Sequence, residues 1–553
     1  MFSDKDNVNI LTSLLVRHGL RSAVLCPGSR NAPLVHNLVQ AGLRTFAVTD
    51  ERSAGFFALG RALDEGPVAL CVTSGTALLN LLPAVAEAFY QHVPLVVISA
   101  DRPLAWIDQQ DGQTLPQAGA LAPFVLRSVS LPESSDPEGR WFCNRLVNEA
   151  LLAMHTRGSG PVHVNVPISE PLYSFSVDAL PDERVVAHAV GTDLAHEDFE
   201  EFFRRFSAAR RPMVVLGQNR FSLDLSILRR HAVVLSEALS LAPGLRHAEP
   251  VLCRREADAR RFDSQMQPDF LLFAGGTLVS KRLKAFLRLS GCDQYLLSPS
   301  GEVCDTFQHL SVVIQTDPST FLRRLSERLS LASPPSPDRQ TFIDAWQRAD
   351  STASQCIGQI ALPFSSASVV REFSRRLSAF ATPPRLVYGN SSAVRLASLF
   401  APSGVFCNRG VNGIEGSLST AVGLAADRRP TCCILGDLSF FYDQNALWNQ
   451  NLQGNLRILL MNNGKGGIFN MLKGLEQSPA RDLLVAAQHK ATAEGICMQN
   501  HVDYQKAQNM EEMQQGIEWL MHTESNRPLL LEVFTDAAED ERVFKAYYHG
   551  LKK

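Results

Sequence analysis

Two short stretches of this 553-residue chain carry oxygen ligands at a spacing that a hydrated divalent cation could use. Gly436-Asp437-Leu438-Ser439 follows the apolar run Thr431–Leu435, and Asn462-Asn463-Gly464-Lys465-Gly466-Gly467 follows Arg457–Met461, with Asp437 and Asn463 26 positions apart. A carboxylate, an amide oxygen and a backbone carbonyl from a glycine-rich turn suit Mg2+, which takes a few protein oxygens and completes its shell with phosphate and water. A helix beginning at Asp437 would turn its free N–H groups toward the same phosphates. The plainer alternative is an aspartate that caps a helix beside a tight glycine turn. Glu51, in Thr49-Asp50-Glu51-Arg52, reads on its own as a first-turn acid favoured by the helix dipole. Four further loops place an arginine at or just beyond a strand end: Pro27-Gly28-Ser29-Arg30, Ala100-Asp101-Arg102-Pro103, Gly389-Asn390-Ser391-Ser392-Ala393-Val394-Arg395 and Cys407-Asn408-Arg409-Gly410. Any one of them reads as a salt-bridge partner; as a set they suit polyanionic substrates whose carboxylates arginine grips bidentately.

These residues need parallel strands to present them, because ligands of open α/β sheets bind outside the carboxyl ends of the strands. Short apolar runs alternate with segments of helical period throughout, which is the βαβ pattern. Strands are predicted at Ala23–Cys26, Thr45–Val48, Val68–Val72 and Leu95–Ser99, with helices at Ala54–Leu63 and Ala77–Tyr90 between them. After a linker from Asp178 to about Val190, a second series has strands near Met213–Leu216, Ala232–Leu235, Phe270–Phe273 and Val312–Ile314. It ends at the proline-rich Ala332-Ser333-Pro334-Pro335-Ser336-Pro337-Asp338, which cannot continue a helix or a central strand. The expected domains are 1–178, 190–332 and 340–553. At an offset of 363 residues, Ala58, Gly60, Ala62, Asp64 and Pro67 meet Ala421, Gly423, Ala425, Asp427 and Pro430. Carried on without a gap, that offset puts Ser74 on Asp437, Ala100 on Asn463 and Glu51 on Ile414, so the first and last thirds read as related α/β domains flanking a third.

Composition narrows the classes. With 45% hydrophobic and 20% charged residues, the chain is ordinary globular material, and about 150 residues per domain gives about three or four domains. The 53 Lys and Arg against 56 Asp and Glu leave a net charge of −3 and no basic stripe for nucleic acid. Eleven scattered cysteines without a C-x-x-C pair read as buried hydrophobes in a reducing compartment. The polar N-terminus lacks the form of a signal peptide, so the expected location is cytoplasmic. The charge-free stretch Gly66–Ala86 is interrupted by Thr73-Ser74-Gly75-Thr76, Asn80 and Pro83, and reads as a buried strand and helix, not a membrane span.

The Gly-Asp-x(24)-Asn-Asn arrangement resembles the diphosphate motif of thiamine diphosphate enzymes, and the pairing of two related domains around a third resembles that family too. Leu438 stands where the family usually has Gly. The resemblance implies thiamine diphosphate with Mg2+ or Mn2+, the metal held by Asp437, Asn463 and the carbonyl of Lys465, where Gly is usual. It implies cofactor contacts from Ser391, Ile414, Asp437, Leu438, Ser439 and Asn463, with Ile414 as the bulky aliphatic that wedges the cofactor into its V shape. Glu51 would be the catalytic acid that hydrogen-bonds the aminopyrimidine ring, so that its imino form removes the thiazolium proton. The two domains would meet across a homodimer, Glu51 of one chain facing Asp437 of the other. No His-His pair occurs, unlike the simple decarboxylases of the family.

Within the family, Pro27-Gly28-Ser29-Arg30, Asp50-Glu51-Arg52, Thr73-Ser74-Gly75-Thr76-Ala77, Asn408-Arg409-Gly410-x-x-Gly413-Ile414 and the blocks above resemble one branch over nearly the whole chain. Its members decarboxylate 2-oxoglutarate and add the succinyl carbanion equivalent to isochorismate for menaquinone biosynthesis. Carried over by motif, Ser391, Arg395 and Arg409 would hold the succinyl carboxylate, and Ser29, Arg30, Arg102, Gln113 and Lys281 would serve isochorismate. Ile468, Phe469 and Leu472 would form an apolar wall. Gly112-Gln113 replaces the Asn-Gln often found there, which removes one polar contact. The rival readings are an acetolactate-synthase-like or other 2-oxoacid enzyme, and a non-catalytic nucleotide- or flavin-binding regulator.

Overall fold

Runs of β-branched and aliphatic residues that are buried on both faces form the strands, as parallel sheets covered by helices require. The computed structural model describes residues 1–133, 136–156, 158–189, 191, 193–221, 223–245, 247–255, 264–471 and 474–552. The first sheet contains β1 (Ser22–Leu25), β2 (Arg44–Ala47), β3 (Val68–Val72), β4 (Leu95–Asp101), β5 (Ser128–Ser130) and β6 (Val162–Pro167), in the order β2-β1-β3-β4-β6-β5. The second contains β7 (Pro212–Leu216), β8 (Val233–Leu235), β9 (Phe270–Ala274), β10 (Asp293–Leu297) and β11 (Leu310–Ile314), in the order β11-β10-β9-β7-β8. The third contains β12 (Arg385–Tyr388), β13 (Thr431–Gly436), β14 (Leu456–Asn462), β15 (Asp503–Ala507) and β16 (Leu529–Phe534), in the order β12-β13-β14-β16-β15. Every pairing between these strands is parallel, so the molecule has the expected fold of three doubly wound α/β domains.

The first and third sheets share one strand order, with a bridge from Val387 to Phe406 standing where β2 flanks β1. Their registers agree at an offset of 363: Ala23 pairs with Ala69, and Leu386 pairs with Cys432. One strand further on the offset changes. Val68 pairs with Leu95, whereas Thr431 pairs with Leu456, 361 residues beyond Leu95. The ungapped register expected from sequence therefore fails between β13 and β14, where the connection is two residues shorter, and Asn463 stands in the place of Arg102 instead of Ala100.

The helix Glu51–Glu65 starts where Asp50 caps it, its side chain accepting the Ser53 N–H at 2.9 Å. It packs against the helix Ser417–Ala425, all nine residues of which are buried. The contact is close because each helix offers a glycine: a Cβ on Gly60 would stand 3.0 Å from the Thr420 carbonyl carbon, and one on Gly423 would stand 3.0 Å from that of Phe57. Gly60 and Phe57 are offset by 363 from Gly423 and Thr420, so the crossing is pseudo-symmetric. Arg385 adds a salt bridge to Asp64 (2.5 Å) and Asp427 (2.7 Å), themselves an offset pair. One continuous core runs from Phe46, Phe57 and Val85 of the first domain to Leu418, Cys433 and Leu460 of the third.

Two segments differ from expectation. The single helix predicted over Ala77–Tyr90 is split into Thr76–Asn80 and Leu82–Tyr90, because Pro83 has no N–H to continue a helix and is suited to starting one. The helix Pro337–Gln359 begins at the proline-rich stretch but buries Phe342, Ile343, Trp346, Ala349 and Ala353 in the core of the second domain. That core therefore continues past residue 340. Among the described residues no helix is long and apolar enough to cross a membrane, and Gly66–Ala86 spans β3 and the start of the helices that cover it. All eleven cysteines are free thiols.

Candidate active site

The register of β13 against β14 aligns Gly436 with Met461, so Asp437 and Asn463 emerge side by side at the carboxyl edge of the third sheet. Asp437 is buried; one carboxylate oxygen accepts the Leu438 N–H at 2.7 Å, and the other accepts the Gly464 N–H at 2.8 Å. His489 Nε2 lies 3.4 Å from the second oxygen. Burial pushes the Asp437 carboxyl above its usual range, opposed by those amides and by His489. Asn463 donates from Nδ2 to Asp540 at 3.1 Å, and its amide oxygen accepts the Lys465 N–H at 3.3 Å. Lys465 turns its ammonium to Asp482 at 3.1 Å, so only its backbone carbonyl is left to face a cation. Among the described residues no group of three or more His, Cys, Asp or Glu side chains could hold a metal ion. The set here is instead all oxygen, one carboxylate with an amide and a carbonyl, which fits Mg2+ completed by phosphate and water. A Cβ on Gly436 would meet nothing within 4 Å, which leaves open space at the strand end beside Asp437.

Arg395 and Arg409 come together on the same domain. Arg409 donates from Nη1 to Asn390 Oδ1 at 3.1 Å, and the Nε of each arginine is buried without a hydrogen-bond partner. Burial and then the charge of Arg409 pull the Arg395 guanidinium below its usual value. Two adjacent cations with unused donors form a receptor for a carboxylate. Asn390 pins this corner, donating to the carbonyls of Asn408 (2.6 Å) and Gly413 (2.5 Å). The next residue, Ser391, is held at φ +70°, a strained conformation for a non-glycine residue and of the kind that gathers at functional sites. Ile414, Ile468 and Phe469 are half-buried, and Leu438 and Phe469 both flank Gly466, whereas Ser439 is buried. Leu472 lies outside the described residues.

On the first domain, Glu51 is half-buried and accepts the Asn80 amide at 3.2 Å. Its neighbours in sequence bind the third domain: Asp50 accepts from Asn445 at 2.7 Å, and Arg52 donates to the Tyr442 carbonyl at 2.7 Å. None of the described hydrogen bonds or ion pairs links Glu51 to Asp437 or Asn463 within the chain. Arg30 is buried and already bound to the Ile168 carbonyl (3.0 Å) and Glu170 (3.1 Å). Arg102 shares its Nε between the Gly112 carbonyl (2.9 Å) and Asp111 (3.1 Å). Ser29 and Gln113 are exposed, Gln113 at φ +58° against the Gly75 turn. Lys281 is exposed at the start of the helix Lys281–Arg288, and Lys284 one turn on feels the charges of Arg409 and Lys281. Two of the four arginines therefore lie on the first domain and two on the third.

Sequence reasoning missed Glu87, Lys284, His489 and Asp540. No local motif marks them, because each acts on residues brought close only by folding.

Residues 6–120 match the family model described as "Thiamine pyrophosphate enzyme, N-terminal TPP binding domain". A protein of Bacteroides thetaiotaomicron, "2-succinyl-5-enolpyruvyl-6-hydroxy-3-cyclohexene-1-carboxylate synthase", is 43% identical over 574 residues, covering 100% of both chains. Proteins of the same name from Porphyromonas gingivalis (36% identical, 99% of this chain and 97% of the relative) and Desulfotalea psychrophila (35% identical, 96% and 98%) are similar along nearly their whole lengths.

Proposed function

Because the chain belongs to the 2-succinyl-5-enolpyruvyl-6-hydroxy-3-cyclohexene-1-carboxylate synthase family of thiamine diphosphate enzymes, we propose that it decarboxylates 2-oxoglutarate and joins the succinyl remainder to isochorismate by 1,4-addition. The observation that carries this reading is the paired Arg395 and Arg409, with unused buried donors, on the domain whose sheet edge carries the Asp437 and Asn463 oxygens. Two-carboxylate substrates need such cations, and a site for a plain 2-oxoacid would not.

Bound thiamine diphosphate supplies a carbon nucleophile for the keto group of a 2-oxoacid and a sink for the electron pair left as CO2 departs. Asp437, Asn463 and the Lys465 carbonyl would hold Mg2+ or Mn2+ and thereby the diphosphate, lined by Ser391, Ile414, Leu438 and Ser439. Glu51 exchanges a proton with the aminopyrimidine ring. Arg395, Arg409 and Ser391 orient the distal carboxylate of 2-oxoglutarate. Ser29, Arg30, Arg102, Gln113 and Lys281 receive isochorismate, with Arg30 and Arg102 exchanging their present partners for its carboxylates. Ile468, Phe469 and Leu472 keep water from the reacting carbon.

By the family resemblance, the active site would lie in a homodimer that takes Glu51 from one subunit and Asp437 from the other. The common strand order and the glycine pair at the helix crossing support an origin of the outer domains by duplication. Eleven free thiols support a cytoplasmic location.

Purified protein given both substrates, thiamine diphosphate and Mg2+ should form the adduct, read by mass spectrometry. Turnover of pyruvate alone would show instead an acetolactate-type enzyme. Glu51→Gln should lose turnover while keeping cofactor affinity within a few-fold. Mixing Glu51→Gln with Asp437→Ala, each inactive alone, should restore activity in the mixed dimer, and no recovery would exclude the shared site.

A further inference from the structure

The hydrogen bonds behind Arg409 come from the other two domains. Glu87, on the helix Leu82–Tyr90 of the first domain, is only 3% exposed, and its carboxylate points into the third domain. One oxygen accepts the Gly410 N–H at 2.6 Å and the other accepts the Val411 N–H at 2.8 Å. Gly410 permits the approach, since a Cβ there would stand 2.8 Å from the Glu87 carbonyl oxygen and 3.0 Å from Tyr90 Cβ. Gln91, one turn on, donates to Glu87 at 2.6 Å and accepts from Gln218 of the second domain at 3.0 Å. Gln218 also donates to the Cys407 carbonyl at 3.2 Å, and is itself held through its backbone by Thr277 (3.1 Å) and Gly276 (2.8 Å). The five residues Cys407 to Val411 are therefore gripped at Cys407 by the second domain, at Gly410 and Val411 by the first, and at Asn408 by Asn390 of their own domain. Arg409 is the residue between the grips, and its guanidinium is tied to the same Asn390.

We propose that Glu87 is a positioning residue: through two backbone amides of another domain, with Gln91 and Gln218 as its extension, it sets where Arg409 presents its guanidinium to the substrate carboxylate. This rests on the reading of Arg409 given above. The carboxylate carries no proton to the reaction and makes no ion pair with Arg409 among the described contacts. It acts by fixing backbone, and it does so as an anion that two N–H groups and an amide solvate in place of water. Burial and the nearby charge of Glu415 oppose that ionised state, and the two amides favour it.

Glu87→Gln keeps the volume but presents an N–H group to a backbone N–H, so one grip is lost and one donor is left unsatisfied. The KM for 2-oxoglutarate should rise about tenfold, the cost of one hydrogen bond to a charged group. The KM for isochorismate should stay within about twofold, because Arg30 and Arg102 lie on separate loops; a role in general stability would move both. Arg409→Ala should raise the same KM, and the double variant should be no worse than Arg409→Ala alone, because Glu87 works only through Arg409. Additive effects in the double variant, or a rise in both KM values, would overturn the proposal. If Arg409→Ala leaves the 2-oxoglutarate KM unchanged, the reading of Arg409 falls and the proposal with it. If Arg409→Ala raises it and Glu87→Gln does not, only the proposal falls. Should Glu87→Gln fail to fold, Gln218→Leu, which removes the Cys407 grip, must raise the 2-oxoglutarate KM alone by two- to threefold; an unchanged value overturns the proposal.

Discussion

Replacing Gly60 by alanine sets two effects of opposite sign against each other. In a helix interior alanine is favoured over glycine by about 1 kcal/mol, and Gly60 lies within the helix Glu51–Glu65. The new Cβ would stand 3.0 Å from the Thr420 carbonyl carbon and 3.1 Å from the Leu424 nitrogen, with the Thr420 oxygen nearer still. Carbon atoms pack best at about 3.5–4.0 Å, so the helices must open by about 0.5–1 Å, which forfeits about a quarter to a half of each dispersion contact along the crossing. Overpacking of this kind costs about 1–3 kcal/mol; because the atoms met are backbone and cannot rotate away, the upper part of that range, about 2–3 kcal/mol, applies and leaves a net loss of about 1–2 kcal/mol. Gly423→Ala meets the Phe57 carbonyl in the same way and should cost the same. The double variant should cost clearly less than the two together, because one opening of the crossing relieves both contacts. Urea unfolding at one protein concentration, followed by tryptophan fluorescence, measures this. An unchanged or higher midpoint for Gly60→Ala, or strict additivity, would refute the close crossing.

Asp540→Ala removes the carboxylate that holds the Asn463 amide, so titration calorimetry should show Mg2+ binding in the presence of thiamine diphosphate weakened about 10–100-fold. His163, buried between Ser99 (2.8 Å) and Ser128 (3.0 Å), is lowered to about 4 by burial. Its neutral form is the folded form, so the unfolded chain binds the extra proton between that value and about 6.5, and about 3 kcal/mol of stability is lost as the pH falls through that window. His163→Gln should flatten the pH dependence of the urea midpoint there, and an equally steep profile would refute it.

Much of this arrangement was legible in the residues. Val68–Val72 was predicted to the residue, and Leu95–Ser99 fell short of the observed Leu95–Asp101 by two, because buried strands in parallel sheets are continuous apolar runs. β15, with the sequence Asp503-Tyr504-Gln505-Lys506-Ala507, went unseen because an edge strand can carry charge on its open side. The placement of Asp437 and Asn463 side by side was readable because they follow neighbouring strands. The grouping of the arginines was not, since Arg30 and Arg102 take partners, Glu170 and Asp111, that strand-end position alone does not reveal. Glu87 was invisible for a related reason: a glutamate in Ala86-Glu87-Ala88 looks like a solvated helix face until a loop more than 300 residues away closes over it.

The core that runs unbroken from Phe57 to Leu460 also bears on how the chain could be cut or recombined. The second domain closes two cores largely within its own residues, one around Phe202, Phe206 and Phe270 and another around Phe286, Trp346 and Leu271. It could be exchanged between relatives only where the residues that meet its Ala238, Leu239 and Val279 in the third domain's core are matched. The outer domains could not: a first domain expressed alone would present Phe57, Leu59 and Val85 to water as a sticky face, and a third domain alone would present Leu418 and Val422. Although the whole second domain separates them in sequence, the two outer sheets are a single heritable unit, and crossovers in chimeras should be placed so that both come from one parent.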